Sequence, residues 1–177
     1  GGPGERAHHP PGPGDLVFPQ QSDPTLTAGE WRPVFFDYLH MAAVGAISFS
    51  PGDVVFFMPA GIRPVKGNLE CLLGFERIHA LRSQAKAIFA GPPLDGAYAE
   101  RFSLEVERLQ VFARWIPPIH PAAMRAAYCS VDVILNGSAS EGLSNVLIEG
   151  RAAGRPLLAA NIPGNRWPVL GDAGDPP

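Results

Sequence analysis

The sequence has too few cysteines, and too short an apolar run, for several common classes of protein. Its two cysteines, Cys71 and Cys129, lie 58 positions apart without companion ligands nearby. This arrangement favours reduced, buried thiols over a disulfide framework or a zinc site. The nearest candidate for a membrane span, residues 41–49, ends at a Ser-Pro-Gly-Asp segment. A spanning helix needs roughly 18 apolar residues or more, so we expect no membrane span.

Positive charge is also scarce. The 177 residues include 14 basic and 17 acidic side chains, which gives a formal net charge of -3. A chain with this balance has no basic footprint for a nucleic-acid backbone, so we expect no nucleic-acid partner. The first residues show no signal-peptide pattern, which predicts a cytoplasmic protein. The start at Gly1 instead of methionine predicts a processed or incomplete product.

Glycine and proline are abundant by contrast, with 20 of each, and they concentrate at the two ends of the chain. Nine of the first fourteen residues are glycine or proline, and the chain closes with two prolines. Apolar residues make up 46% of the sequence, which is typical of a globular protein. We therefore predict disordered ends at 1–15 and 172–177, an interdomain linker at 16–52 and one domain at 53–171.

Apolar runs alternate with amphipathic segments from residue 53 onward. Strands are predicted at 54–58, 85–90, 109–115, 131–135 and 156–160, with a weaker one at 16–18. Helices are predicted at 68–81, capped by Asn68, at 98–107, at 121–128, opened by Pro121, and at 142–153, with a weaker one at 35–44. This alternation predicts an α/β, Rossmann-like fold, in which an open parallel sheet carries helices on both faces. Such sheets bind ligands at the carboxyl ends of their strands.

Two cations lie in the loop after the first predicted strand. Arg63 and Lys66 directly precede a predicted helix, whose positive N-terminal end disfavours them. An anion held between these side chains and the helix end would reverse that effect. The alternative is that both are solvated charges on a loop. The loop lacks the G-x-G-x-x-G pattern, which disfavours a dinucleotide cofactor.

Two carboxylates lie in a second stretch, at 136–149, which runs from a buried strand into a helix. If both belong to the helix, Glu141 and Glu149 are about 12 Å apart along its axis. That separation is too large for one metal ion but suits the two ends of an elongated ligand. Small residues between them would expose backbone amides to a phosphate. The alternative is that Glu141 only complements the helix dipole and that Glu149 is a solvated charge.

The two stretches together resemble the donor-binding, C-terminal half of GT-B glycosyltransferases in the retaining group 1 family. Glu141 and Glu149 match the family signature of two glutamates separated by seven residues, and Arg63 and Lys66 match its phosphate-binding pair. The resemblance covers residues 16–171, and the order of elements agrees. It departs from the family pattern at Gly150, where the family has alanine after the second glutamate.

The resemblance implies that a nucleotide-diphosphate sugar is the donor for an unknown acceptor and that 53–171 is the domain that binds it. Hexosyl transfer would need no cofactor and no metal ion. The implied catalytic residues are Arg63, Lys66 and Glu141. The implied donor-binding residues are Gly142, Leu143, Ser144 and Asn145 at the distal phosphate and sugar, Glu149 at the ribose, and Gly91 and Ile116 at the base.

Two other functions remain open from the sequence. The chain could be a catalytically silent module that binds a nucleotide sugar or completes a partner's site, because the resemblance leaves out the N-terminal acceptor domain of the family. A nucleotide-dependent oxidoreductase of the Rossmann type is the third possibility, which the missing glycine fingerprint disfavours.

Overall fold

The computed structural model describes Arg32 and residues 49–171. The predicted ends at 1–15 and 172–177, the strand at 16–18 and the helix at 35–44 lie outside the described residues, as does most of the predicted linker. Within the described residues, no helix is both long enough and apolar enough to cross a bilayer.

Five parallel strands form one sheet in the order β3-β2-β1-β4-β5. The central strand is bonded on both sides, so that Phe57 pairs with Ile88 on one neighbour and with Ile134 on the other. The strand order reverses beside β1, which places a ligand crevice at the carboxyl ends of β1 and β4. The strands are β1 (Val54–Pro59), β2 (Ala85–Ala90), β3 (Ala113–Ile116), β4 (Val133–Asn136) and β5 (Leu157–Ala159).

Helices cover both faces of the sheet, which confirms the predicted Rossmann-like α/β class. Side chains alternate along β1, so Val55 and Phe57 enter one core while Met58 enters the other. The first core includes residues of α3 and α4, and the second includes residues of α1 and α2. The helices are α1 (Asn68–Leu81), α2 (Gly96–Arg108), α3 (Pro121–Ser130), α4 (Asn145–Ala152) and α5 (Pro163–Leu170).

The start of α1 differs from the prediction. Gly67, not Asn68, is the N-cap residue, and its φ of 66° is a left-handed conformation that favours glycine. Asn68 is the first helical residue instead, and its Oδ1 accepts a hydrogen bond from the Arg63 backbone N–H at 3.3 Å. The prediction that Asn68 caps the helix is therefore wrong, although the helix spans the predicted residues.

Other element boundaries also differ from the prediction, most clearly at the starts of β3 and α4. The segment before β3 is a turn, in which the Phe112 N–H donates to the Leu109 carbonyl at 3.0 Å, so the strand begins at Ala113. Helix α4 begins at Asn145 instead of residue 142, because the backbone of Ser144 is still extended. Glu141 therefore lies in the loop before α4, so the condition that Glu141 and Glu149 belong to one helix is not met.

The unusual Gly150 has a packing role in α4. A Cβ at this position would come within 2.7 Å of Cγ1 of Ile134 on β4. Glycine thus lets the helix approach the sheet closely, although it has a poorer intrinsic helix propensity than alanine.

Candidate functional site

The loops that follow β1 and β4 are in direct backbone contact, which brings the two predicted stretches together. The Ala139 N–H donates to the Val65 carbonyl at 2.9 Å. Beside this bond Gly67 faces Gly137 so closely that a Cβ on Gly67 would overlap the Gly137 carbonyl oxygen. These two loops therefore form one surface at the carboxyl edge of the sheet, and we call it the joined loops (residues 60–67 and 137–144).

Lys66 and Glu141 form an ion pair across the joined loops. The Lys66 ammonium donates to Glu141 Oε1 at 2.5 Å, and the Ser138 hydroxyl donates to the same oxygen at 2.6 Å. Only 19% of the lysine side chain and 14% of the glutamate side chain are exposed. Burial by itself would raise the pKa of Glu141, but the hydrogen bonds from Lys66 and Ser138 and the lysine charge lower it overall. Glu141 is therefore a carboxylate at neutral pH.

A buried asparagine supports the loop that carries Glu141. Asn136, the last residue of β4, donates from Nδ2 to the Ser144 hydroxyl at 2.7 Å, and its Oδ1 accepts from the Ser138 N–H at 2.9 Å. Nδ2 of Asn165 approaches the same oxygen at 3.5 Å and donates to the Ala160 carbonyl at 3.0 Å. All four polar side chains in this network are buried. These buried hydrogen bonds thus fix the position of the loop that carries Glu141.

The start of α5 packs against the same loop from the other side. The Ser144 N–H approaches the Gly164 carbonyl at 3.4 Å. A Cβ on Gly164 would overlap the Glu141 carbonyl oxygen, so a larger residue would displace the loop. The sequence does not predict helix α5. This helix packs against the backbone of Glu141 and restricts the position of the loop.

The N-terminal end of α4 has no side-chain cap. Ser144 is its N-cap residue, but no side-chain cap hydrogen bond is made there, and the first turn contains no acidic residue. The hydroxyl of Ser144 accepts from Asn136 instead. The positive end of the helix dipole is therefore available to an anion.

A continuous cleft runs from the ion pair towards Glu149. A cavity of about 240 Å³ contains Lys66 and Glu141, and a second, of about 250 Å³, contains Gly91, Asn145 and Glu149. The two share four lining residues, and we call them together the cleft. The shared residues are Pro59, Ala60, Gly61 and Val146.

The structure brings five of the predicted site residues into this cleft: Lys66, Gly91, Glu141, Asn145 and Glu149.

The other five predicted site residues do not line it. Arg63 is exposed at the edge of the joined loops, and Gly142 and Leu143 are also exposed. The side chain of Ser144 is buried in the polar network, as described above. Ile116 is only 1% exposed and lies in the core, where its carbonyl accepts a hydrogen bond from the Gly91 N–H at 3.2 Å.

The residues of the second cavity that sequence reasoning missed include Pro118, Ile119, Met124 and Tyr128. Pro118 and Ile119 lie just after β3. The predicted end of that strand could therefore have identified them as residues at the ligand-binding edge of the sheet. Met124 and Tyr128 lie on α3, and their apolar spacing is indistinguishable from that of ordinary core residues. Among the described residues, no group of three or more histidine, cysteine, aspartate or glutamate side chains could hold a metal ion.

Solved structures of glycosyltransferases share this fold. HepE from Anabaena, crystallised with UDP and glucose, superimposes with a TM-score of 0.60 at 18% identity, over 82% of this chain and 36% of HepE. WaaG, a glycosyltransferase involved in lipopolysaccharide biosynthesis, gives a TM-score of 0.59 at 15% identity, over 85% of this chain and 36% of WaaG. The fold is that of one Rossmann-like domain of the GT-B glycosyltransferases, and the chain spans about a third of these two proteins.

The family model described as "Glycosyl transferases group 1" matches residues 53–174, which is more than half of the chain. The protein therefore belongs to the group 1 glycosyltransferase family. The C-terminal domain of LpcC, a group 1 family protein from Francisella tularensis, is also similar, with a TM-score of 0.55 at 19% identity over 62% of this chain and 58% of that domain.

Proposed function

We propose that the chain is the donor-binding domain of a retaining glycosyltransferase and that it holds a nucleoside-diphosphate sugar in the cleft. One observation carries the proposal: the cleft has a lysine–glutamate pair at one end and a second glutamate at the other, with the uncapped start of α4 between them. HepE, which has the same fold, has been crystallised with UDP-glucose. A sugar nucleotide has an anionic centre between two hydroxyl-rich ends, which matches this order of groups.

The diphosphate lies, in this proposal, between Lys66 and the N-terminal end of α4. A lysine ammonium has three N–H donors, of which Glu141 accepts one, so the others are available to phosphate oxygens. Arg63 is exposed at the rim and adds a second positive charge. Fixed cations and helix dipoles stabilise the charge that develops on the departing diphosphate. The reaction then needs no metal ion, so we expect a chelator such as EDTA to leave donor binding unchanged.

The two glutamates bind the two hydroxyl-bearing ends of the donor. Oε1 of Glu141 already accepts bonds from Lys66 and Ser138, which leaves Oε2 for the hydroxyls of the transferred sugar. Glu149 is exposed in the second cavity, where its carboxylate can accept from both ribose hydroxyls. Gly91 and the residues after β3 then border the base.

Substitutions at Lys66 and Glu149 test this division of roles. Lys66→Ala is expected to weaken UDP binding about ten- to a hundredfold, because a charge-assisted hydrogen bond is lost, and to weaken uridine binding much less. Glu149→Ala is expected to weaken both uridine and UDP but to leave pyrophosphate binding nearly unchanged. Isothermal titration with the three ligands measures this, and parallel titrations with GDP and ADP identify the preferred base.

Two matched substitutions serve as controls. Lys86, the other lysine, lies near the start of β2 and donates to the Val111 carbonyl, so Lys86→Ala should affect no ligand. Glu107→Ala removes an exposed glutamate from α2, on the far side of the sheet from α4. Equal losses for all three ligands in either test variant would refute the separate roles.

The chemical outcome of transfer is a further part of the proposal. We expect a hexose to be transferred with retention of its anomeric configuration, and proton NMR of the product distinguishes the two anomers. An inverted product would contradict retention. Donor binding without transfer or donor hydrolysis would instead support the silent binding module.

A further inference from the structure

Tyr128 has a buried hydroxyl that makes no hydrogen bond of standard geometry. The residue lies near the end of α3, is 2% exposed, and its ring packs edge-on against Phe57 with the centroids 5.9 Å apart. Burying an unpaired hydroxyl costs free energy, so a tyrosine here needs a reason that a phenylalanine would not.

The hydroxyl lies next to Glu149. Tyr128, Met124 and Glu149 all line the second cavity of the cleft, and they also line an adjoining cavity of about 480 Å³ between α3 and α4. Burial, together with the neighbouring Glu149 carboxylate, raises the pKa of Tyr128, so this hydroxyl remains a proton donor at all physiological pH values. In a hydrogen bond between a protonated phenol and a carboxylate, the phenol is always the donor.

We propose that the Tyr128 hydroxyl donates a hydrogen bond to the Glu149 carboxylate when a nucleotide is bound, and that it thereby orients this carboxylate for the ribose and makes the site selective for ribonucleotides over 2′-deoxyribonucleotides. The inference rests on the proposed function. Tyr128 is a positioning residue, because it acts on the ligand through Glu149. An exposed glutamate has several side-chain rotamers, and a donor on a buried, rigid ring selects among them.

Selectivity for the ribose follows from the number of donors that the carboxylate meets. A ribonucleotide offers two neighbouring hydroxyls to a carboxylate held in one orientation, whereas a 2′-deoxyribonucleotide offers only one. If the Glu149 carboxylate can rotate freely, the second hydroxyl adds less to the binding free energy. Only some of the orientations that the carboxylate then adopts can accept hydrogen bonds from both hydroxyls. Loss of the phenolic hydroxyl therefore lowers the affinity for ribonucleotides more than the affinity for 2′-deoxyribonucleotides, so the preference for ribose decreases.

The test is a titration of wild type and Tyr128→Phe with UDP, GDP and ADP and with their 2′-deoxy counterparts. For the base that binds best, we expect wild type to prefer the ribonucleotide by about tenfold, the worth of one hydrogen bond to a charged group. In Tyr128→Phe, ribonucleotide affinity should fall several-fold and deoxyribonucleotide affinity much less. The matched control is Tyr98→Phe, which removes a buried hydroxyl bonded to Leu69 and Glu70 on the opposite face.

Stability without ligand gives a second readout. The hydroxyl makes no hydrogen bond of standard geometry in this structure, although the Glu149 carboxylate is already close to it. Tyr128→Phe should therefore leave the Tm of the ligand-free protein unchanged or higher. A marked fall in that Tm, or failure to fold, would show that the hydroxyl is already used and would overturn the inference. A double-mutant cycle with Glu149→Gln completes the test, and Tyr128→Phe should have no further effect in that background.

Different results would overturn the role of Tyr128 and the proposed function. An unchanged ribose preference in Tyr128→Phe, with normal ribonucleotide binding, overturns the role of Tyr128 and leaves the proposed function in place. Absence of binding by wild type to UDP, GDP and ADP overturns both.

Discussion

A half-buried carboxylate, Glu141, is held in its charged form by two donors that come from different parts of the chain. Lys66 lies 75 positions before it, and Ser138 lies three positions before it. An ammonium and a hydroxyl on one oxygen stabilise the ionised form more than the protonated form. The direction of the pKa shift follows from this geometry, and it makes stability depend on pH.

Glu141→Gln tests that dependence. The pKa of Glu141 lies below its ordinary value of 4.5 in the folded protein, so its stabilising contribution is complete above that value and is lost as the pH falls through the lower, folded-state pKa. We expect the variant to be about 1–3 kcal/mol less stable at pH 7, because charge-assisted hydrogen bonds are removed. The difference should shrink towards pH 3. Urea denaturation at several pH values measures it.

Glu100→Gln, at an exposed position on α2, is the control for Glu141→Gln and should change stability by no more than about 0.5 kcal/mol at either pH. A difference between wild type and Glu141→Gln that grows as the pH falls would contradict the pairing.

At the scale of elements, the contact between Gly67 and Gly137 decides how the two loops meet. Gly67→Ala would place a methyl group against the Gly137 carbonyl and would hold a non-glycine residue at a φ of 66°. Strain of this kind costs about 1–3 kcal/mol. We also expect nucleotide affinity to fall, because Lys66 directly precedes the strained residue. Thermal unfolding and titration with UDP measure the two effects.

Gly74→Ala, within the helix that Gly67 caps, is the matched control. Gly74 lies inside α1, and nothing lies within 4 Å of the position that its Cβ would take. This substitution should stabilise the protein by about 0.5–1 kcal/mol and leave binding unchanged. Equal effects of the two substitutions would show that the loop contact does not matter.

The sequence predicts which segments form strands and helices better than it predicts where those strands and helices begin and end. All five strands of the sheet were predicted, because buried parallel strands are continuous apolar runs. The start of α4 was misplaced because the loop at 141–144 is held by contacts with α5 and Asn136, which local propensity does not contain. Helix α5 was missed because it includes Pro163, Gly164 and Pro168, which read as a loop.

The candidate site was predictable only in part, for a similar reason. The types of residue follow from the motifs, but the pairing of Lys66 with Glu141 depends on the adjacency of β1 and β4. The role of Ile116 in the core depends on which face of β3 it occupies. Nothing in the sequence indicates that Tyr128 is a site residue, because an aromatic residue on the apolar face of a helix is usually a core residue.

At the scale of the whole molecule, the sheet predicts an order of local stability. β1 is bonded on both sides, whereas β5 has three residues and a single bonded neighbour among the described strands. Hydrogen exchange followed by mass spectrometry should therefore be slowest at 54–59 and fastest, among the strands, at 157–159. Bound UDP should slow exchange at 60–67 and 137–147 but not at 96–108, on α2. Uniform slowing across the chain would contradict a localised site.

The contact of two glycine backbones across the joined loops has a consequence for how the protein tolerates changes in length. With no side chain between Gly67 and Gly137, this contact has no soft layer that could absorb the displacement of one loop against the other. An inserted or deleted residue in either loop shifts both, together with the cation on one and the carboxylate on the other. The two loops are thus a single rigid part assembled from distant stretches of the chain, and only a matched alteration of both would preserve it.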